Sequence, residues 1–136
     1  MRATFDCKPC AVSSAQQLTV VADILTGLER AVRAGTLTTA RDQLFEHVIA
    51  PSLADNNIDV RKAAAQLMAS WTRVVSQPLA TSAVTALLSQ MRASVQWEQR
   101  HGISHALYLL AQDRALVERL DGALIAHTMT ALTEQV

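Results

Sequence analysis

Aromatic residues are scarce in this 136-residue chain, at 4%, and it holds only four glycines, three prolines and two cysteines. Sheet proteins lean on aromatic side chains and on closely spaced Gly- and Pro-rich turns, so this balance argues against one and favours closely packed Ala- and Leu-rich helices. Two cysteines imply no disulfide framework. Nowhere does the sequence approach the run of about 18 apolar residues that a membrane-spanning helix needs. Asp6 and Lys8 interrupt Met1 to Val12 where a secretion signal would be apolar throughout. An excess of one charge is missing as well: twelve Lys and Arg balance twelve Asp and Glu. No global positive field therefore favours nucleic acid, and direct nucleic-acid binding is not expected. A soluble cytoplasmic protein of the all-α class is the expectation. With half its residues apolar, it is long enough to bury about two thirds of its unfolded surface.

Apolar spacing and punctuation divide residues 14–136 into six helices behind a flexible leader, residues 1–13. The first is expected from Ser14 to Ala34, with Leu18, Val21, Leu25, Leu28 and Val32 as its stripe and Gly35 as its stop. A second, Thr38 to Ala54, takes Thr38 or Thr39 as its cap and is kinked by Pro51. Asp59 is the expected cap of the third, which includes Trp71 among its core residues and ends at Gln77-Pro78. The fourth spans Ala80 to Met91, the fifth Val95 to Ala111 and the sixth Arg114 to Glu134. Short connections make a row of antiparallel hairpins the economical arrangement.

Shifting the sequence by 39 residues lays Arg61 on Arg100, Leu67 on Ala106 and Trp71 on Leu110, a period in the range of α-solenoid repeats. The segment Asp55-Asn56-Asn57-Ile58-Asp59-Val60-Arg61-Lys62-Ala63-Ala64 resembles the HEAT-repeat consensus, with an Asp in the turn and Val-Arg opening the second helix. The resemblance implies an α-solenoid of HEAT/armadillo-like hairpins in which Asp55, Arg61 and Arg100 form an inter-repeat ladder, although Ser94 stands where the next Asp would be. In this register the chain opens on the second helix of one repeat and closes on the first helix of another, as a segment of a longer solenoid would.

Catalytic patterns are incomplete. Cys7-Lys8-Pro9-Cys10 has redox or zinc-knuckle spacing without the strand-to-helix context or further ligands. His101 and His105 stand four apart on the fifth helix, but Gly102 replaces the Glu that a zincin requires. Gly102-Ile103-Ser104 echoes a nucleophile elbow without its second glycine or preceding strand. No enzyme, cofactor or metal is expected. Gly102→Ala should stabilise the fold by about 1 kcal/mol, unless another backbone comes close.

Two features suit partner binding instead. Trp97, His101, Ser104 and Tyr108 share a narrow arc of the fifth helix, away from the Ile103, Ala106, Leu107 and Leu110 stripe. These are residue types that anchor interfaces, and they equally suit packing on a neighbouring repeat. Arg61, Lys62, Arg92 and Arg100 recur at helix ends, either as a basic ridge for a partner or as a solvated edge. HEAT resemblance implies that the fifth helix lines the concave face.

The run Trp97-Glu98-Gln99-Arg100-His101-Gly102-Ile103-Ser104-His105-Ala106-Leu107 resembles the Trp-x-Val-Arg-His-Gly-Arg-Ser-x-Ala-Leu run of the general control translational activators, very large HEAT-repeat proteins; Gln99 and Ile103 depart from it. The resemblance implies a scaffold on translating or stalled ribosomes that recruits the initiation-factor-2α kinase through its RWD domain. It carries no contact residue over to this chain. A transport-receptor or tubulin-binding HEAT segment is the alternative, with Asn56, Asn57 and Arg92 as its contact loops.

Overall fold

The computed structural model describes residues 2–3, 5–6, 9–37, 40–120, 130 and 133, with side chains described from Val20 onward. Apart from a pairing of two extended dipeptides, Arg2–Ala3 with Phe5–Asp6, every element among the described residues is helical. None of the described helices is long and apolar enough to cross a membrane.

Helix α1 spans Pro9–Ala34, beginning five residues ahead of the expected start and taking in part of the expected leader. Cys7, Thr38, Thr39, and Leu124, Ala131 and Leu132 of the expected sixth helix lie outside the described residues. Gly35, at φ +77°, ends α1 as foreseen. Its amide donates to Val32 O at 3.1 Å and that of Thr36 to Ala31 O at 3.0 Å, the paired bonds of a glycine-terminated helix. The buried stripe differs from expectation at Val21, which is exposed, while Leu25 and Val32 are buried. Glu29 joins this stripe by accepting a 2.5 Å hydrogen bond from Ser70 Oγ and pairing with Arg33 at 3.6 Å.

The second helical stretch is composite: a 3-10 turn Arg41–Gln43, a π-helical turn Phe45–Ile49, then α2, Ala50–Leu53. Pro51 supplies the reason. It has no N–H for the carbonyl of His47, and its ring would press on that carbonyl in a regular α-helix. The wider π turn absorbs the conflict that the sequence announced as a kink. Ala40 enters the stretch at φ 64°, a left-handed conformation that a side chain disfavours.

Helix α3 (Ile58–Val74) is capped by Asn57, not Asp59: Asn57 Oδ1 accepts from the amides of Asp59 at 2.8 Å and Val60 at 3.2 Å. Trp71 is fully buried, as expected, and its Nε1 donates to Arg41 O at 2.7 Å while the ring stacks on Phe45. Gln77-Pro78 does not end α3 but opens α4 (Gln77–Ala93) behind a Ser76 cap, because proline is as well placed in a first helical turn as after a last one. The stop of α3 comes from Arg119 of α6 (Arg114–Arg119). Its guanidinium donates to the carbonyls of Thr72, Arg73 and Val75 at 2.8–3.0 Å, satisfying acceptors that the helix end leaves open.

Helix α5 (Trp97–Gln112) lies on α3, which lies on α1. The three form a row, with the composite stretch against α3 and α4 against α5. Leu67, Met68, Trp71, Leu87, Ile103 and Leu107 meet in one core. At Gly102 the backbones nearly touch: a Cβ there would stand 1.9 Å from Leu53 O.

Candidate interaction surface

Arg61 organises the α3–α5 seam. It is only 2% exposed, and a buried guanidinium is tolerated only when its donors are satisfied. One terminal nitrogen donates to Asp55 O at 2.9 Å and Asn56 O at 3.0 Å, closing the turn before α3. Its Nε donates to His101 Nδ1 on α5 at 3.2 Å, and the guanidinium carbon lies 5.2 Å from the centre of the Trp97 ring, within cation–π range. The acceptor role of Nδ1 puts the proton of a neutral His101 on Nε2.

The expected ladder takes a different form. The Asp55 carboxylate stays within its own turn, accepting from the Asn57 amide at 2.8 Å, and the cross-helix partner of Arg61 is a histidine. Thirty-nine residues on, the turn is rebuilt: Ser94 Oγ accepts from the Gln96 amide at 3.2 Å, and Arg100 donates to Ser94 O at 3.2 Å. The hydroxyl replaces the carboxylate because the turn requires only a short side-chain acceptor two residues before the amide.

Trp97 is 59% exposed and Tyr108 54%, so each ring keeps more than half of its surface in water. His101 meets Trp97 edge-on at 6.2 Å and stacks with His105 at 6.5 Å. Burial, then His101 and Lys62, hold the His105 imidazole below its ordinary pKa of 6.5. Lys62 is exposed beside it, whereas Arg92 is exposed in the last turn of α4, apart from the α3–α5 seam. Among the described residues no group of three or more His, Cys, Asp or Glu could hold a metal ion. Ser104 donates to Met91 Sδ at 3.3 Å, with no base on its hydroxyl.

Sequence reasoning missed a groove farther along the same seam. It has a volume of about 500 Å3 and is lined by Gln66, Ala69 and Arg73 of α3, Leu109 and Gln112 of α5, and Asp113. Asp113 caps α6 through Leu116 and accepts from Arg73 Nε at 2.5 Å. The forty-residue separation of Arg73 and Asp113 was its one trace in the sequence, close to the repeat but carried by no motif. No protein-family model, curated protein or solved structure matches the chain.

Proposed function

We propose that the chain is a non-catalytic protein-interaction scaffold of the HEAT-like α-solenoid type, with its binding face on the outward side of α3 and α5. The observation that carries this reading is the exposure of Trp97 and Tyr108 on a helix whose other sides are packed. Large aromatic rings left in water on one line are the usual anchors of a partner. The solenoid part is supported by the row α1, α3, α5 and by the same turn built at Asp55–Arg61 and Ser94–Arg100.

The narrower setting, a ribosome-associated activator of the initiation-factor-2α kinase, is supported by the Trp97–Leu107 run alone. Within that run Gly102, Ala106 and Leu107 are buried and serve packing, which leaves Trp97, Arg100 and His101 as its recognition residues. Co-sedimentation of the intact protein with crosslinked polysomes tests this setting, and its absence sinks it.

The scaffold reading is tested by a photo-crosslinking residue placed at Tyr108 and, as control, at exposed Ser89 on α4. A discrete partner is expected at Tyr108 and none at Ser89. Trp97→Ala should cost the fold about 1 kcal/mol or less through the lost cation–π contact, yet weaken the crosslinked complex by about 2 kcal/mol or more. A Trp97→Ala protein that binds its partner as well as the parent does refutes the proposed face.

A further inference from the structure

The Arg61 guanidinium is buried, and among the described residues no carboxylate forms an ion pair with it. Its bonds divide in two. One terminal nitrogen holds the carbonyls of Asp55 and Asn56 in the turn before its own helix, while Nε reaches across to α5 and donates to His101 Nδ1 at 3.2 Å. A carboxylate at that place would accept from the guanidinium at every pH above its own ionisation. An imidazole accepts only while Nδ1 keeps its lone pair. In the Nε2–H tautomer a second proton has Nδ1 as its one place to go. There it would face the Arg61 N–H across the same 3.2 Å, donor against donor and cation against cation. His101 is exposed, so water delivers that proton and also gives the imidazolium somewhere to turn.

The charged groups around this contact are of both signs. Lys62 follows Arg61 on α3, and His105 stacks on His101 one turn along α5, its imidazole held below the ordinary value by burial, His101 and Lys62. Asp59 and Glu98 put a carboxylate in the first turn of each helix. They temper the field, but among the described residues neither accepts a bond from Arg61 or His101. The Asp55 carboxylate is engaged by the Asn57 amide. Of the other helices packed on α5, α2 has no titratable side chain and α4 carries only Arg92, in its last turn. Arg114, Glu118 and Arg119 of α6 follow the opposite end of α5.

We propose that the Arg61–His101 bond is a proton-operated switch of the α3–α5 seam. With His101 neutral it ties the first turns of α5 to α3; a proton taken from water onto Nδ1 breaks that tie and leaves the turn before α3 closed. Ile103 and Leu107 stay in the core, so the release is confined to Trp97–His101. The Trp97 ring, 5.2 Å from the guanidinium carbon, is freed from Arg61 with it. The switch needs mild acid only, the range in which histidine changes charge, and it operates whether or not Trp97 anchors a partner.

Nitrogen-15 NMR of the full chain, titrated from about pH 7.5 to about pH 5.5, tests the proposal. At the upper end His101 should be the Nε2–H tautomer. On acidification the Arg61 Nε–H resonance should move from its bonded position to that of a free guanidinium, in step with protonation of His101. The emission of Trp97, taken as the difference from a Trp97→Phe protein, should change over the same range. His101→Asn keeps an oxygen that accepts from Arg61 and takes up no proton there, so it should hold the resonance at its bonded position throughout. His101→Leu, with no acceptor, should leave it free at every pH. His105→Gln should keep the step. An Nδ1–H tautomer at the upper end overturns the switch, as does an Arg61 resonance that ignores the titration of His101. So does a step that persists in His101→Asn or vanishes in His105→Gln. None of these readings depends on the Tyr108 crosslink, so the switch and the scaffold reading stand or fall separately.

Discussion

Gly102 carries the clearest single-residue constraint in the molecule. In a regular helix exposed to water, alanine would be better by about 1 kcal/mol, and the sequence alone recommends the exchange. The Leu53 carbonyl reverses the sign, since an added methyl would stand 1.9 Å from its oxygen and 2.8 Å from its carbon. Both atoms are backbone, so α2 or α5 would have to move. Gly102→Ala is expected to lower stability by about 1–3 kcal/mol, the usual range for overpacking, as read by urea denaturation. An unchanged or raised midpoint would mean that α2 lies farther from α5. No local pattern could have announced this contact, because it depends on where a segment fifty residues earlier passes. Trp71 was legible for the opposite reason: its neighbours Leu67 and Val74 share its helical stripe.

At the scale of the element, helix existence was legible, and so was the Gly35 stop of α1, but the caps of α3 and α4 were not. Periodicity identifies α3 and α5 because their buried faces repeat at helical spacing, but a boundary turns on which of several polar residues reaches a free amide. Asn57 and Asp59 both qualify by composition; only Asn57 has its side-chain oxygen on the amides of Asp59 and Val60. Asn57→Ala should therefore cost about 1 kcal/mol, and Asp59→Ala, which removes only a favourable charge in the first turn, about 0.3–1 kcal/mol. Thermal melts of the two variants decide between them, and a larger loss from Asp59→Ala would restore the sequence-based choice. The same bond makes Asn57 a poor probe of partner binding, whereas Asn56 and Arg92 are exposed. Pro51 and Pro78 show a related ambiguity: one widens a helix into a π turn, the other starts a helix where a stop was read.

Across the whole molecule, the order of packing was legible from the 39-residue shift, because residues that superimpose under it, such as Arg61 and Arg100, rebuild one turn. The groove was not, since it arises where α3, α5 and the start of α6 converge. Two titrating groups tie these parts together and set an acid limit. His105 has its folded pKa lowered below 6.5, by burial first and then by His101 and Lys62. Unfolding raises its proton affinity, so the folded state loses stability as pH falls below about 6.5 and through the lower folded value. Asp113 is likewise lowered, chiefly by the Leu116 amide, with Arg73 adding to the effect. Its contribution is complete above the ordinary carboxylate value and disappears only in stronger acid. The melting temperature should fall between about pH 7.5 and about pH 5.5, and His105→Gln should flatten that fall. A slope identical in parent and variant would contradict the assignment to His105.

The row α1, α3, α5 also has a mechanical side. Helices joined by side-chain seams carry a pull along the row in series, so the weaker seam yields first while the other holds. Glu29 to Ser70 latches one seam and Arg61 to His101 the other. Pulled apart along the row, α1, α3 and α5 should separate in steps at these two seams.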